Sequence, residues 1–186
     1  MPAIQDAKVL ILATHGFEQS ELEVPLRQLR ERGATVHVAS PESGTIKGWD
    51  GDGWGDDVEV DLALADASAD DYHAIVLPGG QINPDLLRVE TAAIDLIRAF
   101  GDAGKPVAAI CHAPWLLVEA GLAQGRRLTG YPSIRTDLRN AGAEVVDETA
   151  VVDRRVITSR NPDDLNDFVD AIAAEIEGDA HDRDVA

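Results

Sequence analysis

The only cysteine of the chain, Cys111, is followed at once by His112 in a segment that joins two predicted elements. The apolar run over residues 105–110 is typical of a buried strand, and residues 115–120 have helical spacing that stops at Gly121. The cysteine therefore lies at a strand-to-helix turn. Because free N–H groups at the start of a helix favour negative charge, we expect a thiolate here, with a pKa below the ordinary thiol value of about 8.5.

Cysteine chemistry also needs a group that moves a proton and donors for a developing oxyanion. His112 is the predicted acid/base, and Glu18, in the turn after the first strand, is predicted to hydrogen-bond the sulfur. Asp85 is a candidate for the acid that orients His112. The backbone N–H groups of Gly79, Gly80 and His112 are the candidates for an oxyanion hole.

Each of these residues also has a structural explanation. A lone buried cysteine is often a small hydrophobic residue. Glu18 and Asp85 stand where an acid stabilises the first turn of a helix, and His112 fits a partly buried, hydrogen-bonded histidine. The remaining histidines, His15, His37, His73 and His181, have no metal-binding spacing and are interpreted as ordinary residues.

The elements that must position these residues alternate along the chain. Apolar runs of strand length cover residues 8–13 and 74–77, each followed by a helical pattern, and residues 35–39 are the second predicted strand. This order predicts one α/β domain over residues 1–186, doubly wound, with a mostly parallel sheet and helices on both faces. Residues 178–186 are expected to form a charged, flexible tail. The functional site is expected at the carboxyl ends of the strands, where the loops that carry the candidate residues meet.

Three further segments have their own patterns. A glycine-rich stretch over residues 44–61 predicts a hairpin, in which Trp49 and Trp54 mark either a subunit contact or packing onto their own domain. Asn83 is predicted to cap a helix, and an antiparallel strand pair is predicted with its turn at residues 153–154.

Composition excludes several classes of function. The chain has 34 acidic and 16 basic residues and a formal charge of −18, which would repel nucleic acid and anionic membranes. One cysteine cannot form an internal disulfide, and no Cys cluster indicates a metal site. Without a signal segment or a long apolar span, the chain is expected to be cytoplasmic.

Six motifs follow one another in a specific order and spacing between Lys8 and about Ile176. They are Gly16-Phe17-Glu18 with Glu21 and Pro25, Gly44-Thr45-Ile46 with Gly48, Leu77-Pro78-Gly79-Gly80, Ala109-Ile110-Cys111-His112-Ala113-Pro114, Thr129-Gly130-Tyr131-Pro132 and Thr158-Ser159-Arg160-Asn161-Pro162. Taken together, these motifs resemble the DJ-1/PfpI superfamily, and most closely its PfpI-type intracellular protease and protein deglycase branch.

This resemblance implies a flavodoxin-like sandwich in which Cys111 is the nucleophile and Glu18 the acid that activates it. It also implies a PfpI-type role for His112, completed across a subunit interface by an acid from the segment after the glycine turn. That segment departs from the family spacing, so that either Asp85 is shifted by about one residue or Pro84 takes the place of the acid. The family implies homodimers or larger homo-oligomers and no metal or organic cofactor.

Two functions of different classes fit these residues. The first is a stress-response enzyme in which Cys111 attacks a small carbonyl compound or a glycation adduct on protein or nucleotide; cysteine-type peptide hydrolysis would use the same groups. The second is a redox sensor or chaperone in which Cys111 is oxidised. A glutaminase is disfavoured because the elbow lacks flanking glycines, and a nucleotide carrier because the first turn is poor in glycine.

Overall fold

A central sheet of mostly parallel strands is the framework of the computed structural model, which describes residues 1–178. The strands are β1 (Lys8–Leu12), β2 (Phe17–Glu18), β3 (Thr35–Ser40), β4 (Thr45–Asp50), β5 (Gly53–Glu59), β6 (Leu62–Ala63), β7 (Ala74–Leu77), β8 (Val107–Ile110), β9 (Arg127–Leu128), β10 (Glu144–Val145), β11 (Ala150–Asp153) and β12 (Val156–Ser159). The helices are α1 (Gln19–Glu31), α2 (Ile82–Leu87), α3 (Thr91–Asp102), α4 (Pro114–Glu119), α5 (Arg135–Asn140) and α6 (Leu165–Glu177).

The seven strands of the main sheet lie in the order β11-β12-β8-β7-β1-β3-β6, and only β11 runs antiparallel to its neighbour. Strands β1, β7 and β8 occupy the centre, so their carboxyl ends meet at one edge. Strand β12 pairs in parallel with β8 in the register Ser159 to Ile110, which places it directly beside the cysteine turn. The predicted α/β class with a mostly parallel sheet is thereby confirmed.

Strand β1 is buried on both faces, as its continuous apolar sequence predicts. Val9 and Ile11 belong to the core under α1 and α6, whereas Leu10 and Leu12 belong to the core under α3 and α4. The period of two along a strand explains this division, because successive side chains point to opposite faces. Two hydrophobic cores thus hold the sheet rigid on either side of the site.

The predicted hairpin is formed by β4 and β5, which pair antiparallel. Trp49 and Trp54 lie opposite each other in it, with ring centroids 5.5 Å apart in an edge-to-face arrangement. Trp54 nevertheless remains 58% exposed. The hairpin also pairs through β4 with β2, which fixes the turn after β1 that leads into α1.

Asn83 does not cap α2, which begins at Ile82 after Gln81. Its fully buried amide instead accepts from the N–H of Thr14 and donates to the carbonyls of Pro78 and Gly79. The side chain therefore joins the loop after β1 to the loop after β7.

The antiparallel pair β11 and β12 confirms the predicted strand pair, with its turn at Arg154 and Arg155, one residue later than expected. The tail predicted over residues 178–186 lies outside the described residues except for Gly178, which ends α6 in a left-handed conformation. Within residues 1–178, no helix has both the length and the apolar character needed to span a membrane.

Candidate active site

Cys111 follows the buried strand β8 directly and has a backbone φ of 64°, in the left-handed region that side chains other than glycine rarely adopt. Two hydrogen bonds hold this conformation. The Cys111 N–H donates to the carbonyl of Ser159 at 3.0 Å, and its carbonyl accepts from the N–H of Tyr131 at 2.8 Å. Such strain persists only where the surroundings impose it and is concentrated at functional sites. The predicted strand-to-helix elbow is therefore present.

The carboxyl group that reaches Cys111 belongs to Glu21, which is completely buried. Helix α1 begins at Gln19, and Glu21 falls on its buried face with Leu22, Pro25 and Leu29. Its Oε2 accepts a hydrogen bond from the N–H of Gly79 at 2.8 Å. Its Oε1 is buried and has no hydrogen-bond partner within residues 1–178, and the carboxyl group as a whole lies within hydrogen-bonding reach of the Cys111 side chain.

Glu18 does not make the predicted contact with Cys111. It is the last residue of β2, and its partly buried carboxyl lies near Asp50 and Ser20 instead. Burial, with the charge of Asp50, raises the pKa of Glu18 above its ordinary value. Glu18 cannot take this position because α1 starts after it. The face of α1 that turns towards the sheet carries Glu21, three residues later.

Burial raises the pKa of Glu21 from 4.5 to about 8, against the hydrogen bonds from the Gly79 and Gly80 N–H groups and the contact with Cys111. At neutral pH this carboxyl therefore keeps its proton. A protonated Glu21 carboxyl can donate to the Cys111 sulfur, and it stabilises a thiolate without adding a second negative charge.

Burial also raises the pKa of the Cys111 thiol above its ordinary value, as does the charge of an ionised Glu21, while the N–H groups of Gly80 and His112 act in the opposite direction. The expected lowering of this pKa by the turn alone is thus wrong, because Cys111 is only 5% exposed and desolvation of its thiol dominates. Thiolate formation here depends on a neutral Glu21 and on a base in contact with the sulfur.

The two glycines after β7 have different tasks. The N–H of Gly79 donates to Glu21, so Gly79 is not the oxyanion donor that the sequence predicts. A Cβ at Gly79 would lie 2.6 Å from the Cβ of Cys111, so only glycine fits between the side chains of Cys111 and Glu21. The N–H groups of Gly80 and His112 reach the sulfur, and these two predicted donors are brought to the site.

The imidazole of His112 contacts the sulfur, with Nδ1 3.2 Å from Cys111 Sγ. Its Nε2 lies 3.1 Å from the hydroxyl oxygen of Ser133. The ring stacks on Tyr131 with centroids 4.6 Å apart and meets the edge of Trp115 at 5.4 Å. Burial lowers the pKa of His112, so the neutral imidazole is the form at pH 7.

Asp85 makes no hydrogen bond to His112 within the described part of the chain. It lies on α2 and lines a cavity of about 280 Å³ whose other walls include Ile82, Leu86 and Trp115. Because the Trp115 ring is in contact with His112, this cavity adjoins the site. The structure therefore places Asp85 on the same cavity wall as Trp115 and shows no hydrogen bond from it to the cysteine or the histidine.

The other described histidines form hydrogen bonds with backbone and side-chain groups other than Cys111. His15 and His73 accept from the N–H groups of Lys47 and Lys8, and His37 pairs with the Tyr72 hydroxyl. His181 lies outside the described residues. Among residues 1–178, no three His, Cys, Asp or Glu side chains are grouped so that they could hold a metal ion.

The fold and this site define an α/β protein with a cysteine at a nucleophile elbow beneath a buried acid. The model of the DJ-1/PfpI family matches residues 7–175, and the chain belongs to that family.

Three known proteins show how far the similarity extends. Deglycase TK1284 of Thermococcus kodakarensis is 44% identical over 85% of this chain and 92% of its own length. General stress protein 18 of Bacillus subtilis is 41% identical over 87% of this chain and 92% of its own. A two-domain protein from Anabaena variabilis, with a DJ-1/ThiJ/PfpI-like and a ferritin-like domain, superposes with a TM-score of 0.87 at 35% identity and 92% coverage of this chain. This chain spans about half, 48%, of that two-domain protein.

Sequence reasoning missed two side chains of the site. Glu21 had a usable signal, since it is a carboxyl among the apolar positions 22, 25 and 29 of one helix face. Ser133 had none, because it reaches His112 through a short 3-10 turn, Pro132–Ile134, whose placement depends on the hydrogen bond between Tyr131 and Cys111.

Proposed function

We propose that this chain is a PfpI-type stress-response enzyme that uses Cys111 to attack a carbonyl carbon, in a small dicarbonyl compound or in its adduct on a protein or nucleotide. The observation that carries the proposal is the contact of the Cys111 sulfur with His112 Nδ1 at 3.2 Å, on an elbow with φ of 64°. The deglycase name of the relative from Thermococcus kodakarensis supports the substrate class.

The first step moves one proton and forms one bond. His112 Nδ1 takes the thiol proton, and the thiolate sulfur adds to the aldehyde carbon of the dicarbonyl. The carbonyl π electrons pass to the oxygen, which faces the N–H groups of Gly80 and His112. The imidazolium then returns the proton to that oxygen, which leaves a neutral hemithioacetal on Cys111. Overall, a dicarbonyl and one water give a 2-hydroxy acid, without any external oxidant.

Access favours a small substrate over a polypeptide. Cys111 is only 5% exposed, so its sulfur is more accessible to a small molecule than to an extended peptide. An extended peptide needs an open groove at the nucleophile. We therefore rank peptide hydrolysis below the carbonyl reaction.

The redox-sensor alternative also ranks lower. Oxidation of cysteine follows thiolate character and exposure. Cys111 has little exposure, and burial raises its pKa in the resting protein. Catalysis avoids this difficulty, because the contact with His112 allows the thiolate to form as the substrate binds.

Consumption of methylglyoxal and formation of lactate by purified wild type and Cys111→Ser test the proposal. We expect turnover in the wild type and a loss of more than about 100-fold in the variant, since removing a nucleophile leaves only background reaction. Circular dichroism verifies that the variant is folded. Equal turnover in both proteins, or cleavage of labelled casein with no methylglyoxal consumption, would contradict the proposal.

A further inference from the structure

The hydrogen bonds of His112 end on a hydroxyl group. One ring nitrogen, Nδ1, lies against the Cys111 sulfur, and the other, Nε2, lies 3.1 Å from Ser133 Oγ. Within residues 1–178 no carboxyl group hydrogen-bonds this imidazole. The nearby carboxylate of Asp137 accepts from the Trp115 indole N–H, and Asp85 lies on the cavity wall beyond the Trp115 ring.

The backbone fixes the position of Ser133 relative to the elbow. Tyr131 donates its N–H to the Cys111 carbonyl at 2.8 Å, and the 3-10 turn Pro132–Ile134 follows immediately. The Tyr131 ring then stacks on the His112 ring at 4.6 Å and 25°. One short segment therefore supplies both the surface that orients the imidazole plane and the hydroxyl that meets its outer nitrogen.

We infer that Ser133 is the positioning residue of the Cys111 and His112 pair, and that it holds the imidazole in the tautomer whose Nδ1 accepts the thiol proton. This inference rests on the proposed function. A hydroxyl oxygen that accepts from Nε2–H leaves the Nδ1 lone pair free and directed at the sulfur. When Nδ1 takes the proton, Nε2–H keeps its acceptor, so the imidazolium is hydrogen-bonded at both nitrogens.

This arrangement gives each ring nitrogen of His112 a partner from the same chain. A carboxylate at Nε2 would favour the imidazolium form through its charge, whereas a neutral hydroxyl fixes orientation and leaves the histidine a neutral base. The site thereby keeps a base in contact with a buried thiol at neutral pH.

Two variants of Ser133 and one matched control test this role. Ser133→Ala removes the hydroxyl and Ser133→Thr restores one, while Thr136→Ala removes a hydroxyl from an exposed position on α5. With methylglyoxal we expect Ser133→Ala to lower kcat about tenfold at pH 7, with KM within about twofold, because a misplaced base slows the chemical step more than binding. The kcat of Ser133→Thr should recover to within about threefold of the wild-type value, and the kcat of Thr136→Ala should equal the wild-type value.

A second readout is independent of the natural substrate. The rate of iodoacetamide alkylation of Cys111, measured from pH 5 to 9, reports proton removal by His112 even if methylglyoxal is not consumed, so failure of the proposed function leaves the inference testable. We expect Ser133→Ala to slow alkylation near pH 7 and to differ less from wild type at pH 9, where hydroxide replaces the base.

Three results would overturn the inference. In the first, Ser133→Ala has the same kcat and alkylation profile as Thr136→Ala. In the second, the kcat of Ser133→Thr is no higher than that of Ser133→Ala. In the third, Asp85→Asn loses activity while Ser133→Ala keeps full activity. The last result would assign the orienting role to an acid.

Discussion

Cys111 and Glu21 form a buried pair in which the acid, at neutral pH, holds the proton. The Glu21 pKa of about 8 follows from complete burial, and the hydrogen bond from Gly79 does not offset it. A protonated carboxyl beside a sulfur stabilises a thiolate by donation, whereas an ionised one opposes it. The reactivity of Cys111 therefore depends on the protonation state of its neighbour.

The pH dependence of stability gives a direct test of this proton. The unfolded chain loses the Glu21 proton near its ordinary pKa of 4.5, while the folded chain keeps it to about 8. Between these values the folded state binds more protons, so the free energy of unfolding falls as pH rises, by at most about 1.4 kcal/mol per pH unit. The stabilisation is complete below pH 4.5 and is lost as pH rises through 8.

Urea unfolding of wild type and Glu21→Gln from pH 5 to 8 measures this effect. The wild type should lose stability relative to the variant across the range, because glutamine does not titrate. Glu42→Gln, at an exposed position, is the control and should show a constant difference from wild type. A constant difference for Glu21→Gln as well would mean that Glu21 is ionised in the folded protein.

At the scale of elements, the site is made where loops after β1, β7 and β8 converge. Asn83 links the first two loops from a fully buried position, and Gly80 lets them approach. A Cβ at Gly80 would lie 2.5 Å from the carbonyl oxygen of Gly16 and 2.6 Å from the backbone nitrogen of Glu18. These neighbours are backbone atoms, which cannot yield as a flexible side chain would.

Gly80→Ala and Gly51→Ala separate this steric effect from the cost of a left-handed backbone. Both glycines have positive φ, 75° and 60°, but a Cβ at Gly51 meets no atom within 4 Å. We expect Gly51→Ala to cost about 1 kcal/mol of unfolding free energy and Gly80→Ala at least about 2 kcal/mol more. Urea denaturation measures both, and equal losses would show that the close approach at Gly80 carries no cost.

Much of the element order was predictable, because β1, β7 and β8 are largely apolar runs and the carboxyl ends of these strands bring their loops together. The partner of Cys111 was not. Choosing between Glu18 and Glu21 requires the residue at which α1 starts, and sequence patterns place helix starts only to within a few residues. Burial likewise decides the direction of the Cys111 pKa, and it depends on packing from both sides of the sheet.

Over the whole molecule, the formal charge is −18. Polyanions are repelled at low ionic strength, so a small uncharged dicarbonyl or a protein-bound adduct suits the surface better than a duplex nucleic acid. The arginines near the elbow are already paired: Arg135 and Arg160 both bind Asp147, and Arg160 also binds Asp164. Because these arginines are already paired, the neutral groups around Cys111 are the ones available to bind a small molecule.

We propose that Glu21, and not Glu18, is the acid that supports Cys111. The kcat/KM for methylglyoxal of Glu21→Leu, Glu21→Gln and Glu18→Leu, measured side by side at pH 7, tests it most directly. We predict that Glu21→Leu lowers kcat/KM about tenfold or more, as expected when a hydrogen bond to a charged group is removed. Glu21→Gln should lose less, because its amide can still donate. Glu18→Leu should change kcat/KM by no more than about twofold. A loss in Glu18→Leu equal to or larger than that in Glu21→Leu would contradict the account.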